Sequence, residues 1–162
     1  MTRTRLRFAG VFGRDSDSGT AAIEFALFAP FLLTLIGGVT EIGFATYEAM
    51  QVNAAVEAGL LYATANGWDA ASISDAVTGS SQFPSLYTLT ATPAPTEFCG
   101  CPNEAGSVAN VGSPPCSTTA CAEQTAAGTY VQVNASLNHL VILPPSWGIP
   151  ANITATATIR IN

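Results

Sequence analysis

Apolar residues form one long run near the start of the chain. Residues 20–40 read TAAIEFALFAPFLLTLIGGVT and contain a single charged residue, Glu24. At about 1.5 Å per residue such a helix is about 30 Å long, which matches the apolar core of a bilayer. We therefore predict a transmembrane helix over 20–40. The alternative is a buried core helix, although the remaining domain is small for enclosing one.

The pattern then changes to that of an amphipathic helix over residues 41–66. Its apolar stripe recurs at spacings of three and four and consists of Ile42, Ala45, Ala49, Val52, Val56, Leu60 and Ala63. Glu41, Glu48 and Glu57 are predicted to lie on another side of the helix. The stripe either packs on the protein's own sheet or contacts other subunits.

Residues 67–162 predict a small folded head. The Asn66-Gly67 pair is typical of a helix end. The further predicted elements are a short helix over 69–77, a weak strand over 83–92, a long loop over 93–128, and strands over 130–137 and 153–161. The last two strands alternate apolar and polar residues, as strands with one buried face do. The predicted fold class is α+β, with the long N-terminal helix packed on a small antiparallel sheet.

Charge is distributed unevenly along the chain. Residues 1–19 carry four Arg and two Asp, a net charge of +2, whereas residues 20–162 carry one Arg and nine acids, a net charge of −8. Arg is enriched on the cytoplasmic side of membrane helices, so residues 1–19 are predicted to be a cytoplasmic leader. A secretory signal peptide is the alternative, but Asp15 and Asp17 interrupt its basic start. The acidic head does not suit nucleic acid.

Glu24 is a carboxylate inside an apolar span, which costs about 2–3 kcal/mol. One interpretation is that its side chain reaches back to the lipid headgroups. Another follows from Gly19, since Glu24 is the fifth residue after it. If the chain were cut after Gly19, the new amino group of Thr20 would lie one helical turn from Glu24. The amino group would then compensate the Glu24 carboxylate, which would no longer be an isolated charge in lipid.

All four cysteines fall in the predicted loop over 93–128, as Cys99, Cys101, Cys116 and Cys121. Four cysteines in such a loop indicate two disulfides, a zinc site or a redox-active pair. The predicted compartment is oxidising, and C-x-C is a poor zinc spacing, so disulfides are favoured. Cys99 and Cys101 would each pair with Cys116 or Cys121, and the sequence leaves both connectivities open.

Nothing in the sequence predicts an enzyme. His139 is the single histidine, and its context predicts a partly exposed strand residue. The chain has no Gly-rich phosphate loop and no Ser/His/Asp constellation. We therefore expect no catalytic residue, no metal and no cofactor.

Two parts of the chain resemble a known family. Residues 19–25, GTAAIEF, resemble the processing site of type IV pilin-like proteins. The wider stretch 15–65, with Pro30 inside the helix and NAAVEAG after it, resembles the N-terminal region of TadE-like pseudopilins of tight-adherence (Flp-type) pilus systems. The segments TYVQVNAS and ITATATIRIN near the end are also similar to that family.

The resemblance implies a pilin-like fold and a minor pseudopilin that takes part in assembling a tight-adherence pilus. A prepilin peptidase would cut after Gly19 and leave Thr20 as the first residue, where many type IV pilins have an aromatic. Glu24 and Phe25 would guide docking. The implied partners are other pilins, the inner-membrane assembly platform and the lipid bilayer, with the head in the bacterial periplasm. The alternative function is an uncleaved, membrane-tethered periplasmic adaptor.

Overall fold

The computed structural model describes residues 17–80, 87–118, 120–121, 126–141 and 150–161. The chain divides into two compact units, Met1–Val39 and Thr40–Asn162. The helices and strands are α1 (Asp17–Asn66), α2 (Ala70–Gly79), β1 (Leu89–Thr90), β2 (Thr96–Pro102), β3 (Val108–Gly112), β4 (Gly128–Asn138) and β5 (Asn152–Arg160). The predicted α+β class is therefore confirmed, with a long apolar N-terminal helix and a small antiparallel sheet.

The sheet is organised around β4. Strand β5 pairs with β4 along one edge over nine residue pairs, from Tyr130–Arg160 to Asn138–Asn152. Strands β2 and β1 both pair with the other edge of β4, and β3 pairs with β2. All these pairings are antiparallel. The alternating pattern that predicted β4 and β5 thus corresponds to two adjacent strands of one sheet.

The core of the second unit lies between the two helices and the sheet. Its fully buried aliphatic side chains come from α1, α2 and β4, and they are Val52, Ala55, Val56, Ala63, Ile73, Val77, Val131, Val133, Ala135 and Leu137. On β4 these are alternate residues, because successive strand side chains point to opposite faces. The apolar stripe of α1 therefore packs on the protein's own sheet between residues 45 and 63, which is the first of the two predicted roles.

The short helix and the end of α1 were also predicted correctly. Helix α2 begins after Asp69, whose carboxylate accepts hydrogen bonds from the backbone N–H groups of Ala71 and Ser72. The Ser72 hydroxyl donates to the same carboxylate at 2.7 Å, and this bond is the main reason that the pKa of Asp69 is lowered. Helix α1 ends at Asn66, and Gly67 follows with φ of 85°, a conformation that favours glycine.

The predicted loop over 93–128 was wrong in part, because β2 and β3 lie within it. Gly and Pro have low strand propensity, and local composition therefore did not indicate these strands. Their pairing partners supply what the local sequence lacks, since β2 lies between β3 and β4. Of the predicted strand over 83–92, only Leu89–Thr90 is a strand, and residues 81–86 lie outside the described residues.

Two disulfides connect β2 to the chain that follows β3. Cys99 bonds to Cys116 and Cys101 bonds to Cys121. The structure thus selects one of the two connectivities that the sequence left open. Because every cysteine sulfur is in an S–S bond, the four thiolates that a zinc site needs do not exist here. Cys99, Cys101 and Cys116 are buried together with Ala127 in a small second core.

At Gly59 helix α1 approaches α2 and β4 closely. A Cβ added there would lie 2.6 Å from Val77 Cγ2 and 3.0 Å from Val133 Cγ1. We expect Gly59→Ala to destabilise the head, because overpacking costs about 1–3 kcal/mol and the gain in helix propensity is at most about 1 kcal/mol. Thermal unfolding of the full chain in detergent micelles measures the difference.

Gly43→Ala is the matched control, since it lies in the same helix and an added Cβ meets no atom within 4 Å. This variant should be as stable as the parent or slightly more stable. Equal melting temperatures for the two variants would contradict the close packing at Gly59.

Candidate functional site

The described part of the first unit is a stretch of α1 whose large apolar side chains are exposed on all sides. Between 64% and 74% of the surface is exposed for Ile23, Phe25, Leu27, Phe28, Phe31, Leu33 and Val39. Contiguous apolar surface of this extent is unusual for a protein in water and is expected for a helix in lipid. Within the described residues, α1 is the one helix long and apolar enough to cross a membrane. It fits a single-pass membrane anchor.

The predicted processing residues lie near the start of this helix. Gly19 lies within helix α1. A side chain at Gly19 would meet no atom within 4 Å. Thr20 and Glu24 are exposed and lie one turn apart on one side of the helix, next to the exposed Phe25.

A cluster of buried ionisable side chains lies in the second unit. Glu41 and Glu48 come from α1, and His139 directly follows β4. Their side chains are 1%, 4% and 2% exposed. His139 Nδ1 lies 2.6 Å from Glu48 Oε2, and His139 Nε2 lies 3.3 Å from Glu41 Oε1. The two glutamates are seven residues apart and therefore share one face of the helix.

The backbone holds His139 in this position. Its N–H donates to the carbonyl of Ala151 at 2.8 Å, one residue beyond the last β4–β5 pair. The ladder therefore continues to His139 and directs its ring toward α1. The imidazole joins the end of β4 to a helix that is far away in sequence.

The contacts in this cluster require one shared proton. A carboxylate only accepts hydrogen bonds, and a neutral imidazole has only one N–H. Both ring nitrogens of His139 face carboxyl oxygens, so either the ring is an imidazolium or one carboxyl group carries the extra proton. In both arrangements the three groups together have a single net negative charge. Burial makes each of these hydrogen bonds costly to leave unmade.

Tyr87, just before β1, adds a fourth polar group to the cluster. Its hydroxyl is hydrogen-bonded to Glu48. Desolvation raises the pKa of Tyr87, and the negative charges of Glu48 and Glu41 raise it further. The hydroxyl therefore stays protonated and can donate to the Glu48 carboxylate.

The geometry suits a structural link better than catalysis or metal binding. The two nitrogens of an imidazole point in different directions, and each of them faces a different glutamate. One metal ion cannot take both carboxylates and a ring nitrogen in this arrangement. No group of metal-ligand side chains was found among the residues that the structure describes. Both ring nitrogens of His139 are engaged by glutamate oxygens, so the ring joins the two carboxyl groups.

Three residues were predicted wrongly at this site. Glu41 and Glu48 are buried rather than on an outer side of the helix, whereas Glu57 is exposed as expected. His139 is buried rather than partly exposed. Ile42, which the stripe included, is 61% exposed. The spacing of residues 41, 45, 48 and 52 could have placed both glutamates on the buried face of α1. They were predicted to lie elsewhere because charged side chains are usually exposed.

A long apolar helix, an α+β head and two disulfides fit a protein with a single-pass membrane anchor and a folded domain. Residues 19–61 match the family model described as TadE-like protein, which confirms the resemblance seen in the N-terminal part of the sequence. The two similar segments near the end of the chain lie outside this match, so their resemblance stays a prediction. The match suggests that this protein is a component associated with a tight-adherence pilus. Glu24, Glu41 and Glu48 lie inside it, and His139 lies outside it. No curated protein and no solved structure matches the chain.

Proposed function

We propose that this protein is a minor pseudopilin, a structural component that takes part in assembling a tight-adherence pilus. The observation that carries the proposal is Glu24, a carboxylate on an exposed apolar helix, one turn after Thr20 and inside the TadE-like match. An ionisable residue in a membrane helix is usually kept for a function. The head and its sheet would be the part that the assembled pilus presents.

Maturation in this proposal is cleavage after Gly19 by a prepilin peptidase on the cytoplasmic side of the inner membrane. The Arg-rich residues 1–19 would be removed, and the head would lie in the periplasm. Cleavage creates an amino group at Thr20. That group can pair with Glu24 of the same helix, or of a neighbouring subunit, and compensate the carboxylate in lipid. Because Gly19 is helical, cleavage after it would require the helix to unwind locally.

A second face of α1 is available for other subunits or for lipid. Beyond the predicted span, the exposed apolar side chains on α1 are Ile42, Phe44, Tyr47, Met50 and Leu61. The opposite side of the same helix packs on the sheet. One helix can thus support the head and present an apolar side to a neighbouring pilin at the same time.

Two substitutions test processing and docking separately. Gly19→Leu should block cleavage, so that the protein keeps residues 1–19 and pili are lost. A Cβ added at Gly19 meets no described atom within 4 Å, so a defect would point to the peptidase rather than to misfolding. Gly19→Ala is the matched small variant and should still be cut. The measurements are the N-terminal sequence of the membrane-bound protein and the number of surface pili.

Glu24→Ala should leave insertion intact, because it removes a charge from lipid, and should abolish pilus assembly. Glu57→Ala is the matched control, since Glu57 is an exposed carboxylate on the same helix. Normal piliation with Glu24→Ala would contradict the docking role. A wild-type protein that begins at Met1 in piliated cells would favour the alternative, an uncleaved periplasmic adaptor.

A further inference from the structure

Strands β3 and β5, which each pair with a single neighbour, differ in how their outer edges are built. Strand β3 has five residues, its pairing with β2 shifts register between Cys99 and Gly100, and it ends at Gly112 with φ of 156°. Strand β5 has nine residues and pairs with β4 without any shift of register. Within the described residues, β5 pairs with β4 alone. Alternate N–H and C=O groups of β5 therefore point away from the sheet.

The composition of β5 favours pairing with a further strand. Residues 153–159 read ITATATI and contain no charge, no proline and no glycine. Ile and Thr are strong strand formers. Natural proteins protect a free edge with Lys, Pro, a bulge or a short strand, and this segment has none of these. The first charge is Arg160, at the end of the strand.

The same segment is a palindrome about Thr156. In an antiparallel pair related by a two-fold axis through Thr156, Ile153 faces Ile159 of the second copy and Thr154 faces Thr158. Ala155 likewise faces Ala157, and Thr156 faces itself. Matching pairs of β-branched side chains stabilise antiparallel strands. A two-fold interface needs this kind of self-complementarity.

In this register each face of β5 lies beside the same face of β5 in the second copy. Ile153 is buried, and Ala155, Ala157 and Ile159 are half-buried on the side that packs against the core. Thr154, Thr156 and Thr158 are exposed on the opposite side. Antiparallel pairing about Thr156 would place like face beside like face, so two sheets would join without exposing the core side.

We propose that β5 is a homodimer interface, in which β5 of two copies pair antiparallel about Thr156 and join two five-stranded sheets into one. The partner is a second copy of this chain, because the palindrome makes the strand complementary to itself. The proposal goes beyond the function proposed above and does not depend on cleavage after Gly19.

Cysteine cross-linking in the full-length, membrane-embedded protein tests this register. The native cysteines are all in disulfides, so a new cysteine supplies a free thiol. Under mild oxidation, Thr156→Cys should give a disulfide-linked dimer. Thr154→Cys and Thr158→Cys should each remain monomeric, because the same residue in two copies would lie about 13 Å apart along the strands, beyond the reach of a disulfide.

Co-expression of Thr154→Cys and Thr158→Cys chains should restore a cross-linked dimer, since these positions face each other. This arm also covers the possibility that Thr156→Cys is less stable, because the Thr156 hydroxyl donates to Asn134 Oδ1 at 2.8 Å. Equal cross-linking at all three single positions would overturn the proposal. It would also be overturned by monomers in both Thr156→Cys and the co-expressed pair, or by cross-links to a different protein.

Discussion

Replacing His139 with Ala should lower the free energy of unfolding of the head by about 3–5 kcal/mol. The substitution leaves Glu41 and Glu48 buried near each other without the ring that separates and compensates them. The effect should exceed that of the lost contacts alone, since an uncompensated buried charge keeps its full desolvation cost. Chemical denaturation of the full chain in detergent, followed by circular dichroism, measures the change.

A triple variant, His139→Ala with Glu41→Gln and Glu48→Gln, is the matched control. It removes more native side chains than the single variant and yet should be more stable than it, because the amides carry no charge. Tyr87 can still donate its hydroxyl to the amide oxygen at position 48. If the triple variant were less stable than His139→Ala, the ionic account of this cluster would be wrong and the histidine would act mainly through packing.

Removing both disulfides should destabilise the β2–β3 side of the sheet by about 3 kcal/mol for each bond. The bonds close chain segments with sequence separations of 17 and 20, so the loss of unfolded-state entropy is similar for both. Cys99→Ala/Cys116→Ala should cost more than Cys101→Ala/Cys121→Ala, because Cys99 is fully buried and Cys121 is only half-buried. Denaturant titrations of the two double variants and of the quadruple variant test this order.

Hydrogen exchange should locate the effect of these variants. The β2 and β3 amides should lose protection, whereas the β4–β5 ladder, whose nine pairs involve no cysteine, should keep it. An equal loss of protection across all five strands would show that the disulfides stabilise the sheet as one cooperative unit, contrary to this prediction.

Elements with a strong local signal were predictable from the sequence. The apolar run, the end of α1 before Gly67, the capped α2, and the alternating β4 and β5 each follow from residues close together in the chain. The pattern that predicted β5 also contains the palindrome about Thr156, but only the sheet order, within the part of the chain that the structure describes, places that strand at an edge.

The residues that needed the tertiary structure are those whose partners are distant in sequence. Strands β2 and β3 form because β4 and two disulfides stabilise a segment with low strand propensity. The positions of Cys116 and Cys121 in the chain after β3 determine which of them bonds to Cys99 and which to Cys101. Glu41 and Glu48 are buried because His139, more than ninety residues later, supplies the compensating group. A charged side chain is predicted to be exposed unless its partner is known, and the fold alone supplies that partner.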